Sequence, residues 1–246
     1  MTPDTPRDGR APLTVLEWIQ YQLDTAGSVA DVIASDSRVR IQGRTPLHYL
    51  VSDRSGAAAT IEFLEGKLVA HEGPHLPYTA LANDTYAKSR AFVEQRGGRP
   101  AGGSGSLERF SRAALALPEI AAAGPAAIDR AFAVLGDVAQ RGTRWSIVYD
   151  QTAGVIHWRT DRHEPRRYLK MADVTFQCSI EPLALDVHAP ITGDARSRMT
   201  PLTSATNYAL VNGSTRKTSF TRRTAEDEIA AEARYGFSAT CVTGTL

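Results

Sequence analysis

Residues 71–75 have the spacing of the zinc metalloprotease signature H-E-x-x-H, in which two histidines share one face of a helix and bind the metal. The sequence is His71-Glu72-Gly73-Pro74-His75. A helix would carry Gly73 and Pro74 at consecutive interior positions, where a proline lacks the N–H that the helix needs and costs about 3 kcal/mol or more. We therefore expect a turn after a strand, with exposed histidines and no metal site.

A second pattern is typical of a nucleophilic serine. Residues 102–106 read Gly-Gly-Ser-Gly-Ser, but the last glycine of the elbow G-x-S-x-G would fall on Ser106, and no predicted strand precedes it. A Ser-His-Asp triad cannot be assembled from spacing, because its members meet in space rather than in sequence. We interpret the segment as a loop with an N-cap serine.

Charge gives no support for nucleic acid or a membrane as a partner. The formal net charge of the 246 residues is +1, which gives no general attraction for polyanions. Basic runs at 159–170 and 216–223 are interpreted as solvated faces, since they lack the interleaved aromatic residues of a single-strand platform. Dinucleotide and P-loop fingerprints are absent from the sequence, and no cofactor is predicted.

Composition indicates a globular protein. Hydrophobic residues make up 42% and charged residues 22% of the chain, which is inside the globular range. Cys178 and Cys241 are too few for a disulfide scaffold, and whether they pair stays open. The sequence has no signal peptide and no apolar run long enough for a membrane span. We expect a cytoplasmic protein as written, or a periplasmic one if a leader lies further upstream.

The first half of the chain predicts two helices and then a meander of strands. Thr14 and Glu17 have capping-box spacing ahead of an apolar stripe, and Ser28 begins a short second helix. That stripe consists of Val15, Trp18, Ile19 and Leu23. From residue 46, alternation predicts antiparallel strands, with Glu65-Gly66 as a two-residue hairpin turn.

The chain after residue 84 predicts helices and a second hairpin within one domain. Residues 1–12 are expected to be an extended lead-in, 13–246 a single domain, and 96–105 a flexible loop within it. Helices are predicted from about Thr85, after the loop, from Pro125 and at 225–234. The hairpin joins residues 145–150 to residues 155–160.

Asn83 and Arg109 are candidates whose residue types alone do not decide their role. Asn83 follows the predicted meander, and Arg109 falls in the first turn of the helix after the loop. An asparagine there is as consistent with a turn former as with a functional amide, and the arginine is as consistent with a surface charge.

The order of these motifs resembles the choloylglycine hydrolase family of linear amide C–N hydrolases, which includes penicillin V acylases and bile-salt hydrolases. The resemblance is carried by the segment from Pro46 to Asp84, by Ser106 to Phe110 and by the later hairpin. It implies an α+β fold of the Ntn-hydrolase type, an αββα sandwich of two antiparallel sheets.

The same resemblance implies roles for the two candidates and a small-molecule amide as the substrate. In the family the asparagine donates its side-chain amide to the oxyanion of the tetrahedral intermediate, and the arginine lies beside the nucleophilic sulfur. A preorganised oxyanion donor lowers a barrier by about 3 kcal/mol, and a guanidinium favours the reactive thiolate. Asn83 and Arg109 are therefore predicted to be catalytic residues.

The chain departs from the family pattern at one decisive point. Family enzymes use an N-terminal cysteine upstream of the matching segment, whereas Met1 begins after that point, and Cys178 and Cys241 lie far downstream. The sandwich is therefore expected to be incomplete at the N-terminus, and the chain alone to be inactive. Its expected partners are a missing N-terminal segment or a second copy. The alternative is a non-catalytic binding or interaction protein derived from that fold.

Overall fold

The computed structural model describes residues 8–42, 46–175, 177, 181–219, 221–235 and 237. The chain divides into two compact units, of which the first ends at Thr143 and the second begins at Arg144. Cys178 and Cys241 lie outside the described residues. That residues 13–246 act as a single domain stays a prediction.

The first unit contains five strands and five helices among its described residues. In chain order they are β1 (Ala11–Leu13), α1 (Val15–Thr25), α2 (Val29–Ala34), β2 (Val39–Ile41), β3 (Tyr49–Ser52), β4 (Ala58–Leu64), β5 (Lys67–Glu72), α3 (Tyr86–Gln95), α4 (Ser106–Ala122) and α5 (Ala127–Asp137).

The beginning of the described chain is tied to the rest of the unit. β1 pairs in parallel with β2, so the end of the expected lead-in forms a short strand. The capping box predicted for α1 is confirmed, because Glu17 N donates to Thr14 Oγ1 at 3.3 Å and Thr14 N donates to Glu17 Oε2 at 2.7 Å. Ser28 caps α2 by accepting from Asp31 N, as expected.

The predicted apolar stripe of α1 is wrong in part. Trp18 is buried, but Ile19 is 38% exposed and Leu23 is 76% exposed. The residue that joins Trp18 on the buried side of the helix is Gln22, whose Nε2 donates to Ser35 Oγ at 2.8 Å. A buried hydrogen bond between two side chains thus replaces an apolar contact that periodicity predicts.

Three aromatic rings form the centre of the first core. Trp18 stacks on Tyr49 with ring centroids 4.3 Å apart, and the edge of Phe63 meets Trp18 at 6.0 Å. The hydroxyl of Tyr49 donates to Val15 O at 2.8 Å, and burial raises the pKa of Tyr49 to about 12. These contacts join α1 to β3 and β4, since each ring belongs to a different element.

The three-stranded antiparallel meander is confirmed in the order β3-β4-β5. Glu65 and Gly66 both have positive φ, 51° and 77°, which is the conformation of a type I′ hairpin turn. β4 is buried on both of its faces: Ala59, Ile61 and Phe63 on one face and Thr60 and Glu62 on the other are all at most 2% exposed. β4 is therefore the central strand of this unit's core.

The second core of this unit lies around α3 and α4. Phe110 and Ala114 of α4 form a buried cluster with Tyr86 and Val93 of α3, and Leu76 and Ala80 complete it. The buried residues of α4 therefore pack mainly on α3 and on the segment before α3. α3 begins at Tyr86, one residue after the predicted start.

The second unit is built on a four-stranded sheet. Its elements are β6 (Trp145–Asp150), β7 (Val155–Thr160), β8 (His163–Lys170), β9 (Leu183–Ala184), β10 (Gly193–Asp194), β11 (Thr200–Pro201), α6 (Ser204–Lys217) and α7 (Glu226–Tyr235). The predicted hairpin is β6 and β7, and the sheet order is β10-β8-β7-β6. Among the described residues, no helix is long and apolar enough to cross a membrane.

Arg167 corrects the interpretation of the first basic run as a solvated face. Its side chain is 0% exposed and donates to Ala189 O at 3.1 Å and to His163 O at 2.8 Å. The guanidinium lies 5.8 Å from the centroid of the Trp158 ring, and burial lowers the pKa of Arg167. The run spans the end of β7 and all of β8, and Arg167 of β8 is turned inward.

We expect Phe63→Ala to lower the free energy of unfolding by about 3 to 5 kcal/mol, because it empties the centre of the aromatic cluster. The matched control is Leu23→Ala in α1, which should change stability by no more than about 0.5 kcal/mol because Leu23 is exposed. Guanidinium unfolding followed by near-UV circular dichroism measures both. Equal losses from the two variants would contradict the assignment of the core.

Candidate functional site

Asn83 and Arg109, which are 26 residues apart, are in direct contact. The Nη2 group of Arg109 donates to Asn83 Oδ1 at 3.0 Å. Asn83 is exposed in the bend before α3, and Arg109 lies in the first turn of α4 and is partly exposed. The two predicted site residues therefore form one cluster at a surface that ligands can reach.

This contact fixes the orientation of the Asn83 carboxamide. A guanidinium only donates hydrogen bonds, so the atom facing Arg109 must be the oxygen of the amide. The Nδ2 amide group is therefore turned away from Arg109, as a hydrogen-bond donor at the exposed side of the bend. The pair presents an oriented N–H donor beside a positive charge, an arrangement that suits an anionic or partly anionic oxygen.

Ser106, the first residue of α4, holds the backbone of the same bend. Its Oγ accepts from Asn83 N at 2.9 Å and from Asp84 N at 2.8 Å. The residue at the N-cap position of α4 is Gly105, so Ser106 is not the capping residue that the sequence suggests. Its hydroxyl instead binds two adjacent N–H groups 22 and 23 residues earlier in the chain.

Arginines of α4 also hold the end of the loop at 96–105. Arg112 Nη1 donates to Ala101 O at 2.7 Å and to Gly103 O at 2.8 Å, and its Nε donates to Asp137 in α5. Arg109 Nε donates to Ser104 O at 3.3 Å. Arg109 thus joins the loop to Asn83, so the position of its guanidinium is defined on two sides.

Asp84 next to Asn83 is ionised more readily than an ordinary aspartate. A side-chain hydrogen bond from Lys88, with Nζ 2.5 Å from Oδ1, lowers the pKa of Asp84, and burial opposes that effect. The bend therefore places a negative charge next to Asn83 that Lys88 neutralises. Because Lys88 is paired with Asp84, the cation in contact with Asn83 is the guanidinium of Arg109.

The histidines of residues 71–75 do not form the zinc geometry. His71 and Glu72 end β5, and residues 73–75 form a single turn of 3-10 helix. His71 is not exposed as expected, because its side chain is only 20% exposed and its Nδ1 lies 3.2 Å from Thr60 Oγ1. Among the described residues no cluster of three or more potential metal ligands is present.

A family model of linear amide C–N hydrolases, the choloylglycine hydrolase family, matches residues 2–95 of the chain. Residues 2–95 therefore resemble that family. The match includes Asn83, whereas Arg109 lies beyond its last residue. The chain is also 28% identical over 135 residues to the penicillin V acylase of Pectobacterium atrosepticum, a match that covers 48% of this chain. It spans only 35% of that relative's length.

Solved structures share the fold of this chain. Penicillin V acylase from Agrobacterium tumefaciens matches with a TM-score of 0.72 and 22% identity, over 82% of this chain and 72% of that one. A mutant of conjugated bile acid hydrolase from Clostridium perfringens matches with a TM-score of 0.59 and 16% identity, over 71% and 67% of the two chains. The α+β class is therefore shown, and the αββα sandwich and its incompleteness remain predictions.

Sequence reasoning named Asn83 and Arg109 but missed the residues that hold them. Ser106 was noticed only as a helix-start serine, and no spacing in the sequence indicates that its hydroxyl accepts from residues 83 and 84. The hydrogen bonds that Arg109 donates to Asn83 Oδ1 and Ser104 O likewise form only when the loops are folded. A serine that begins a helix just after a glycine-rich loop is the only available signal.

We expect Ser106→Ala to loosen the Asn83 bend, because two backbone N–H groups lose their acceptor, and to lower stability by about 1 to 2 kcal/mol. Hydrogen exchange at the amides of Asn83 and Asp84 measures the effect directly. Ser104→Ala is the matched control, since the Ser104 contact uses its backbone carbonyl. Equal exchange in wild type and Ser106→Ala would contradict the role of this hydroxyl.

Proposed function

We propose that this chain supplies the oxyanion-binding half of a site that hydrolyses linear amide bonds through a cysteine nucleophile. The observation that carries the proposal is the 3.0 Å hydrogen bond from Arg109 to Asn83 Oδ1, which aims the amide donor and brings the positive charge to the same place. The match of residues 2–95 to the family model supports the reaction class.

Asn83 would act as the donor to the tetrahedral intermediate. When a nucleophile adds to an amide carbonyl, the carbonyl oxygen becomes an anion, and a fixed N–H donor stabilises that state more than the ground state. The side chain is fixed on its oxygen by Arg109, and its backbone is fixed by Ser106. Little reorganisation is therefore needed when the charge develops.

Arg109 would act on both the anion and the nucleophile. Its guanidinium adds positive charge near the developing oxyanion, and a thiol placed beside it loses its proton more easily, since the charge favours the thiolate. Attack by the sulfur expels the amine and forms a thioester, which water then hydrolyses to the free acid and the thiol. A polypeptide segment outside these 246 residues would provide that cysteine.

The substrates in the names of the similar proteins define what to test first. Penicillin V is an acylated amine with an aromatic acyl group, and conjugated bile acids are amides of a steroid acid; both fit the class of small linear amides. We propose such an amide as the substrate.

The division of the site is tested with the purified chain and penicillin V. We expect no release of the amine by the 246 residues alone, and release after addition of a cysteine-bearing N-terminal segment as a separate polypeptide. Chromatography of the acid product measures turnover. Hydrolysis by the chain without a companion would overturn the division, and binding without hydrolysis in both preparations would favour a binding protein.

In the assembled enzyme, Asn83→Ala should lower kcat by about 10² to 10³, which is the usual cost of one oxyanion donor. The matched control is Lys88→Ala, which removes the partner of Asp84 but leaves the contact between Asn83 and Arg109 in place. Wild-type turnover of Asn83→Ala would remove Asn83 from the oxyanion site.

Arg109→Ala should shift the acid limb of the pH-rate profile to higher pH, because loss of the guanidinium raises the pKa of a neighbouring thiol. Arg90→Ala in α3 is the control, since Arg90 pairs with Glu94 and should leave the profile unchanged. The profile of kcat/KM between pH 5 and about 9 reports the pKa of the free enzyme. An unshifted limb in Arg109→Ala would contradict its role beside the sulfur.

A further inference from the structure

Glu62 is a fully buried carboxylic acid at the centre of β4. Its side chain is 0% exposed, and the residues before and after it on the opposite face, Ile61 and Phe63, belong to the apolar core. Burial of a carboxyl group is costly unless hydrogen bonds replace those made to water. The hydrogen bonds that the Glu62 carboxyl group makes inside the protein therefore indicate its role.

One oxygen of Glu62 is bound from two directions. Oε1 accepts a hydrogen bond from Tyr86 N at 3.0 Å, and it lies 3.2 Å from His48 Nδ1, which donates in any form that carries a proton on that nitrogen. His48 precedes β3, and Tyr86 is the first residue of α3. A single carboxyl oxygen in the central strand thus joins an edge of the sheet to a helix.

The second oxygen faces the other edge strand. Glu62 Oε2 makes no hydrogen bond within the described part of the chain and lies 3.9 Å from His71 Nδ1 in β5. His71 in turn contacts Thr60 Oγ1 at 3.2 Å and packs on the ring of Tyr86 at 4.9 Å. Glu62 of β4 and His71 of β5 therefore both contact Tyr86 at the start of α3, and His48 contacts the same Glu62 oxygen.

Glu62 takes the place of a missing N-cap. Thr85 occupies the N-cap position of α3, but within the described chain it makes no side-chain capping bond. The first N–H groups of a helix have no partner inside the helix, and its N-terminus favours negative charge. By accepting from Tyr86 N, the carboxyl group of a distant strand satisfies one of these groups.

We propose that Glu62 is the positioning residue for Asn83. This inference rests on the catalytic role proposed for Asn83. Only residues 84 and 85 separate Asn83 from Tyr86, so the bend is attached at its end to the central strand by Glu62 and at its beginning to α4 by Ser106. Glu62 therefore sets the height of Asn83 above the sheet, while Ser106 and Arg109 set its distance from α4.

The proposal differs from a simple structural role for a buried polar group. If Glu62 served only to stabilise the core, its loss would affect the whole unit and no group in particular. If it positions the bend, the effect is concentrated at Tyr86 N–H and at the Asn83 carboxamide, and any side chain with an acceptor oxygen at the same place restores both. Glu62→Gln keeps that oxygen, and Glu62→Ala removes it.

The test is an NMR measurement on the isotopically labelled full chain. In Glu62→Ala we expect amide exchange at Tyr86 to be about tenfold faster, as for loss of a helix cap, and the Asn83 side-chain amide signals to move. Glu62→Gln should restore both readouts to near wild type. Glu72→Gln, at an exposed position at the end of β5, is the matched control and should change neither.

Three results would overturn the proposal: wild-type behaviour of Tyr86 and Asn83 in Glu62→Ala, equal disturbance in Glu62→Gln and Glu62→Ala, or a uniform change over the whole unit. If Glu62→Ala does not fold, the wild-type chain is measured instead, through the scalar coupling between Tyr86 ¹⁵N and Glu62 ¹³Cδ across their hydrogen bond. Absence of this coupling would overturn the proposal. These readouts need no turnover, so their failure is distinct from failure of Asn83→Ala to slow hydrolysis.

Discussion

The first unit depends on its central strand, β4, which buries apolar side chains on one face and polar side chains on the other. One face of β4 is apolar and completes the aromatic core with Trp18 and Tyr49. The other face carries Thr60 and Glu62 and has to satisfy polar atoms away from water. The residues that do so belong to the neighbouring strands and to the start of α3. Hydrogen bonding on this face therefore connects the sheet to the start of α3, just after the bend that carries Asn83.

Local sequence signals predicted the elements near the site well. The capping pair Thr14 and Glu17, the Glu65-Gly66 turn and the antiparallel meander all appear where the sequence places them. Each depends on residues within a few positions of one another, whose preferences act before distant contacts form. Asn83 and Arg109 were found by the order of motifs in a known family, and the structure adds their direct contact.

Contacts between distant residues could not be predicted in the same way. The inward turn of Arg167 depends on carbonyl groups 4 and 22 residues away, and a run of basic residues looks the same whether one member is buried or none. Periodicity also placed Ile19 and Leu23 in the core, whereas Gln22 is buried because Ser35 receives its amide. The helix α6 was not predicted, because its apolar residues form no clear stripe, although Thr203 and Thr206 form a capping box at its start.

The orientation of the Asn83 carboxamide makes this position sensitive to a change of one atom. Conversion of Asn83 to aspartate would replace the amide with a carboxylate of almost the same size and shape. Arg109 would hold that carboxylate more firmly, through a charged pair in place of a neutral acceptor. The product would keep its geometry and lose its only side-chain donor, and it would repel the oxyanion that we propose the amide binds. A damaged molecule would therefore be folded and well ordered at this surface, yet unable to perform the role proposed for Asn83.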